Sequence, residues 1–395
     1  MRYIHQLNIW PKFVWDHEKI VTLLGAVRNR QGRLMGRMEA IGFNLRAEAL
    51  LQTLTLDVLK SSEIEGAILP SDQVRSSIAR RLGMNIAGLV SSDRHVDGMV
   101  EMILDAMQKF DEPLTKDRLF GWHSCLFPSG RSGMRKIVVG AWRDNSRGPM
   151  QVVSGPMGRE RVHFEAPDAA RLEVEMTDFL DWFNRAAAID LVLKAGIVHL
   201  WFVTIHPFED GNGRIARAIT DMQLARADGS AQRFYSMSVQ ICKERNAYYA
   251  VLEKIQKNTY GFGYRRPNHG LAACGGNADH VSLRGKGIDI TEWLEWFLAC
   301  LDRALVTTEI SLADVFRKTR FWELHPSELI NERQRMMVNR LFDGFEGKLT
   351  SSKWARIAKC SQDTALRDIL ELVEKGILVK ASAGGRSTSY LLRDL

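Results

Sequence analysis

Ile205-His206-Pro207-Phe208-Glu209-Asp210-Gly211-Asn212-Gly213-Arg214-Ile215-Ala216-Arg217 is the stretch on which the fold turns. Ala195 to Ile205 is an apolar run ending at His-Pro, and a residue before proline is pushed out of the helical region, so a buried helix is expected to stop at His206. Asp210-Gly211-Asn212-Gly213 is a turn signal built from residues that tolerate positive φ. Arg214 to Arg226 returns to helix formers with apolar residues at helical spacing. The expected unit is helix, glycine-rich loop, helix.

The residue types in this unit converge on phosphate chemistry. A helix N-terminus presents unpaired N–H groups and a positive dipole end, and glycines let phosphate oxygens approach the backbone, which makes an anion cradle. Arg214 and Arg217 neighbour each other on one face of the second helix and can bracket further phosphates. Asp210 is a carboxylate able to hold Mg²⁺ against them. His206 can take a proton from an attacking hydroxyl. A bare Asp-Gly-Asn-Gly is more often a polar corner; here acid, base, glycines and arginines coincide. An EF-hand loop is a poor fit, because Arg214 and Ile215 stand where a ligand and a glycine would be needed.

Histidine, proline, phenylalanine, one free position, acid, Gly-Asn-Gly-Arg, two free positions and arginine resembles the Fic family signature at every fixed position. The resemblance implies a mainly α protein: a Fic helical core with a small β-hairpin flap, here with an N-terminal helical domain and a C-terminal winged-helix module. It implies transfer of AMP from ATP to a Tyr, Thr or Ser hydroxyl of a protein. By the same resemblance His206 is the base and Asp210 holds Mg²⁺. Phe208, Gly211, Asn212 and Gly213 belong to the nucleotide site, and Arg214 and Arg217 to the β- and γ-phosphates. Gly213 stands where a Doc-like kinase branch carries lysine, which points to nucleotidyl transfer.

Upstream, Asp16 to Leu59 reads almost continuously as helix, with Leu23, Leu24, Val27, Leu34, Met38, Ile41 and Leu45 at helical intervals. Next come Ser61 and Glu65, four apart and so on one helix face, and Gly66, a helix stop. This pattern resembles the inhibitory helix of many Fic proteins, set at about residues 57–66. A carboxylate entering the cradle is expected to pair bidentately with Arg217 and remove the group that orients the γ-phosphate, so that ATP still binds but unproductively. Near phosphates it can also orient a water, which leaves removal of AMP from a modified protein open.

Asp111 to Thr115, with Pro113, reads as a loop that starts the catalytic domain. From Ser129 to Pro167 the helical pattern gives way to short strands at Lys136 to Gly140, Met150 to Val153 and Arg161 to Phe164. The segment Val152, Val153, Ser154, Gly155 resembles the Fic flap, which aligns a substrate by strand addition. Gly140-Ala141-Trp142-Arg143 resembles a Gly-x-Tyr-Arg element of the family, and no role is assigned to it. His199, seven residues before His206, reads as a satisfied core histidine rather than a metal ligand. Ser238 to Lys257 is helical, and the resemblance makes Tyr248 and Tyr249 candidates for enclosing adenine.

Asn258 to Gly287 departs from the family pattern and reads as an insertion, and Thr291 to Val306 as an amphipathic helix followed by less regular structure from Ile310 to Glu332. Helices at Asn331–Gly344, Ser351–Lys359 and Gln362–Lys375, with strands at Ile377–Val379 and Ser389–Leu392, resemble a winged helix. Its third helix offers chiefly Arg367 beside Asp363 and Asp368, and Arg386 would be the wing contact, so protein docking or a homodimer is favoured over reading DNA. The expected domains are 1–112, 113–260, the insertion 261–288, a connector 289–330 and the module 331–395.

Composition sets the class. The chain has 395 residues, 45% of them hydrophobic and 26% charged, enough to bury a sizeable core. Its net charge of +7 permits an acidic partner without requiring one. Cys125, Cys242, Cys274, Cys300 and Cys360 are scattered with no Cys-x-x-Cys, which fits reduced thiols in a cytoplasm. No apolar signal core opens the chain, and Leu191 to Ile205 carries Lys194 and His199, so neither export nor a membrane span is expected. The partners expected are ATP and a protein substrate, with self-modification open; a nucleotide-sensing, DNA-binding regulator is the alternative from another class.

Overall fold

The computed structural model describes residues 2–40, 43–84, 89–146, 148–156, 159, 161–186, 188–257, 287–325, 330–342, 345, 347–381 and 388–393. The chain forms two compact units, Met1–Val306 and Thr307–Leu395. Stretches 1–112 and 113–260 thus lie in one unit, and nearly all of the insertion expected at 261–288 lies outside the described residues.

In the first unit β1 (Phe13–Val14) leads to α1 (His17–Glu39) and α2 (Phe43–Ile64), so the helical pattern from Asp16 is two helices instead of one. Asp16 caps α1 by accepting from the Glu18 N–H at 3.1 Å, and Ile20, Val27, Leu34 and Met38 form its buried stripe. Then come α3 (Ser71–Arg81), α4 (Arg94–Gln108) and α5 (Lys116–Leu126), the last two started by the caps Asp93 and Thr115.

Two short antiparallel ladders follow. One joins β2 (Arg131–Ser132) to β3 (Arg135–Lys136); the other joins β4 (Gln151–Ser154) to β5 (Arg161–Glu165). The strand expected at Lys136 to Gly140 is therefore reduced to its first residue: the chain turns at Gly133, φ +56°, and pairs backward with Arg131 instead.

Next are α6 (Leu172–Asn184), α7 (Leu191–Ile205), α8 (Asn212–Asp228), α9 (Met237–Lys243) and α10 (Arg245–Gln256), then β6 (Ile288–Asp289), which pairs parallel with β1. Helix α7 is the axis of the unit. It is apolar all round and every residue from Val192 to Ile205 is buried, as a fully enclosed helix requires. Its chief neighbour is α8, which buries Ile215, Ala218, Ile219 and Met222. α2 packs on α9 and reaches α8, which brings the end of α2 to the start of α8.

Helix α11 runs from Thr291 to Leu324, so the less regular helix and loop expected from Ile310 to Glu332 begins as an unbroken continuation of the helix. Within the first unit Trp293 donates to the Gly196 carbonyl at 2.8 Å. A Cβ on Gly196 would lie 3.0 Å from Leu294, so glycine permits this close approach.

The second unit contains α12 (Glu332–Phe342), α13 (Ser351–Ala358), α14 (Gln362–Glu374) and an antiparallel pair, β7 (Leu378–Lys380) with β8 (Tyr390–Leu392). Met337, Val338, Trp354, Ile369, Leu372 and Leu378 make its core. Asp368 corrects the sequence reading: it is buried and paired with Arg333 at 2.9 Å, so it is not part of the solvent face of α14. Arg386 lies outside the described residues. Among the described residues no helix is long and apolar enough to cross a membrane.

Candidate active site

The loop between α7 and α8 is shaped by its own side chains and by Arg143, His123 and Trp142 set against it. α7 stops at Ile205 as expected, but His206 is left-handed, φ 52° and ψ 58°, where the proline rule favours extended backbone. A non-glycine residue in this region is held there by its surroundings, and the holders are visible. Arg143 donates from Nε to the His206 carbonyl at 2.8 Å, and its backbone N–H donates to the Pro207 carbonyl at 2.9 Å. Phe208 is fully buried, stacked on His123 at 4.2 Å and flanked by Trp142 at 5.1 Å. The imidazole of His123 donates to the Asp210 carbonyl at 3.2 Å and accepts from the Gly140 N–H at 3.2 Å. Burial lowers the His123 pKa to about 4, which keeps that ring neutral.

Asn212 closes the turn. Its amide accepts from the Phe208 N–H at 3.0 Å and donates to the Phe208 carbonyl at 2.8 Å. Two of the expected site residues thus also hold the loop: the Asn212 amide engages both backbone groups of Phe208 with one hydrogen still to donate, and the Phe208 ring faces the core. Gly211, φ +82°, could carry no Cβ without meeting Phe127 at 2.9 Å. The α8 N-terminus is left with backbone N–H groups, Arg214 and Arg217 around it.

His206 Nδ1 faces the Val203 carbonyl at 3.3 Å, and a carbonyl only accepts, so Nδ1 bears the proton and Nε2 the lone pair. Burial, with Arg143 nearby and against the pull of Glu65 and Asp210, lowers the His206 pKa to about 4. At neutral pH the ring is an unprotonated acceptor. Arg214 lies over the Phe127 ring at 4.9 Å and 3.6 Å from Asp210.

Arg217 is buried and points at the end of α2. Its Nη1 is 2.8 Å from Glu65, while Nε donates to Ser61 Oγ at 2.8 Å and Nη2 to the Ser61 carbonyl at 2.7 Å. The bidentate pairing expected with Glu65 is thus shared out: Ser61 takes two donors because it sits one turn deeper on α2. Gly66, φ +82°, ends that helix with the Gly66 N–H bonded to the Glu63 carbonyl and the Ala67 N–H to the Ser62 carbonyl, a Schellman closure. The Glu65 carboxylate lies over the α8 N-terminus, 2.1 Å from where a Cβ on Gly213 would be. Gly213 is what admits it.

Among the described residues no three His, Cys, Asp or Glu side chains gather as a metal cage. Mg²⁺ shared with phosphates needs only one or two carboxylates, and Asp210 fits that demand: its side chain is 40% exposed at the rim of the cradle. It is held in place by Ser132 Oγ and the Gly211 N–H.

Tyr248 departs from its expected place. It is 2% exposed and bonded to His199 Nε2 at 2.8 Å, with Thr220 on the other ring nitrogen at 2.9 Å, so both belong to the core beneath the site. Tyr249, beside it, is 38% exposed. In the hairpin, β4 pairs only with β5 among the described residues, so its outer edge is open, and Val153 is 48% exposed. Gly155 follows with φ +103°. The sequence marked Arg143 as part of a family-like element without showing its role, and gave no sign of a role for His123 or Ser132; all three act largely through backbone or loop geometry, for which residue spacing gives no signal.

The match to known proteins follows this geometry. Residues 113–224 match the Fic/DOC family model, and residues 3–84 match a domain of unknown function, DUF4172. Protein adenylyltransferase fic-1 of Caenorhabditis briggsae is 38% identical over 55 residues, 13% of this chain and 11% of that protein. The Caenorhabditis elegans protein of the same name matches to the same extent. The match thus spans about a tenth of the length of these curated relatives. A Fic family protein from Desulfovibrio desulfuricans G20 has a crystal structure that aligns over 95% of this chain and 96% of its own at 20% identity, TM-score 0.51, a likeness of fold. Residues 113–224 of this chain thus form a domain of the Fic/DOC family.

Proposed function

We propose that the protein is an autoinhibited protein adenylyltransferase, transferring AMP from ATP to a Tyr, Thr or Ser hydroxyl of a protein. The carrying observation is the Glu65 carboxylate seated on the α8 N-terminus, 2.8 Å from Arg217. A cradle for anions covered by the chain's own anion is what a blocked phosphate site requires. In the proposed reaction the acceptor oxygen attacks the α-phosphorus, the bond from that phosphorus to the bridging oxygen breaks, and pyrophosphate leaves. His206 Nε2 takes the hydroxyl proton. The α8 N–H groups, Arg214 and Arg217 bear the charge that develops on the phosphates. Mg²⁺, held by Asp210, would supply further neutralisation. The open edge of β4, Val152 to Gly155, would align the acceptor segment as an added strand, and Tyr249 would border the base.

The kinship with adenylyltransferases named fic-1 supports this reading. In the test, protein-bound label from α-labelled ATP is compared in wild type, Glu65→Gly and Glu65→Gly/His206→Ala. Label rising at least about tenfold in the first variant, the effect of restoring one charge-assisted contact, and vanishing in the second supports the proposal. Equal labelling of wild type and Glu65→Gly removes the inhibitory role. A second reading rests on the same contact: a carboxylate in that position can orient water, so removal of AMP from a modified protein should require Glu65.

A further inference from the structure

We propose that Arg143 is a positioning residue that fixes the base and the substrate-presenting hairpin against each other. Where α7 ends at Ile205 and turns through a left-handed residue, the carbonyls of Ile205, His206 and Pro207 have no intrahelical partner. Arg143 addresses all three: its Nε reaches His206 O at 2.8 Å, its Nη2 Ile205 O at 3.5 Å, and its backbone N–H Pro207 O at 2.9 Å. The same Nη2 donates to the Pro167 carbonyl at 2.6 Å. Pro167 is at the root of the hairpin, since the neighbouring Ala166 N–H pairs with the Met150 carbonyl just before β4. One guanidinium therefore joins the carbonyl of His206 to the point where the hairpin leaves the core.

The side chain is 4% exposed. Burial brings its pKa down to about 10, which still leaves it a cation at neutral pH. A planar fork of donors is required to reach carbonyls on two segments; the point charge of lysine does not reproduce it. The hydrogen-bond partners of Arg143 are the carbonyls of Ile205, His206, Pro207 and Pro167, none of them on α8, where Arg214 and Arg217 stand. Its loss should therefore misalign base and acceptor while leaving nucleotide binding in place.

The inference rests on the proposed function for the tasks of His206 and the hairpin. The test places Arg143→Lys and Arg143→Met in the Glu65→Gly background. The account expects kcat for AMP transfer to fall about 100-fold in both, the effect of misplacing a reacting group by about 1 Å, with KM for ATP within about twofold. The acid limb of the pH profile should move up in Arg143→Met, which removes a cation beside His206 while Glu65 is already absent and Asp210 remains, and stay in place in Arg143→Lys. A kcat within about threefold of the parent in Arg143→Lys overturns the proposal, as does a parallel loss of ATP binding, which would mark a merely structural role. If Arg143→Met does not fold, Arg143→Lys decides. If the Glu65→Gly parent transfers no AMP, the proposed function has failed, and the positioning claim is decided by NMR of Arg143→Lys. The His206 ring signals and the amide exchange of Gln151–Ser154 must then change together; an unmoved hairpin overturns it.

Discussion

At the scale of the residue, His206 combines an unusual backbone with a depressed pKa, and both follow from its enclosure. Because burial lowers its pKa to about 4, the unprotonated form that accepts a proton persists well below neutrality. The prediction is that kcat/KM for AMP transfer in the Glu65→Gly variant stays level from pH 7 down to about 5 and falls only toward pH 4, whereas an ordinary histidine would lose activity near pH 6.5. Phe208 makes a second case. Since its ring is 0% exposed between His123 and Trp142, Phe208→Ala should destabilise the first unit by about 3–5 kcal/mol, read from denaturant midpoints. The motif made His206 and Phe208 legible by identity, and His206 by its expected task as well, but not the loop-holding task of Phe208. A signature gives types and spacing, whereas the hydrogen bonds by which Asn212 holds the Phe208 backbone belong to the folded loop. Arg143 stood out in a family-like element, but its role did not, because its partners are carbonyls.

At the scale of the element, α2 and α8 meet along a stripe with a period of four. Ser61 and Glu65 face Arg217, and one turn deeper Asp57, Ser236, Asp221 and Arg233 form a buried cluster. Ser61→Ala removes an acceptor from a buried guanidinium, a loss of about 1.5–3 kcal/mol, and should raise basal AMP transfer to a level between wild type and Glu65→Gly. Asp221 gives a pH signature. Burial and the neighbouring Asp57 outweigh Arg233 and push its pKa up to about 7. The native state then holds a proton that the unfolded chain releases above about pH 4, so this group's contribution to stability declines as pH rises from about 4 through 7. Asp221→Asn should flatten that decline in melting curves taken across the window; an unchanged slope would refute the assignment. Glu65 was legible because its spacing from Ser61 sets a helix face. Asp57 and Asp221 were not, since isolated acids in a helical pattern read as solvated.

At the scale of the whole molecule, two compact units with separate cores imply two unfolding transitions. Trp354→Ala, a truncation in the core of the second unit, should lower one of them by more than about 10 °C and leave the other in place, as calorimetry can show. The short helices and closing strands of this unit were legible from periodicity, and the structure adds the caps Thr350 and Ser361 that start α13 and α14. The continuation of α11 to Leu324 was not, because charged residues such as Arg317, Lys318 and Arg320 interrupt the apolar stripe that marks a helix while leaving its propensity intact. The central claim concerns what the chain does with ATP once Glu65 no longer covers α8. It is tested most directly by giving the Glu65→Gly protein ATP labelled at the α-phosphate or at the γ-phosphate and measuring which label becomes protein-bound. The account predicts label from the α-position alone, abolished by His206→Ala; bound label from the γ-position would contradict it.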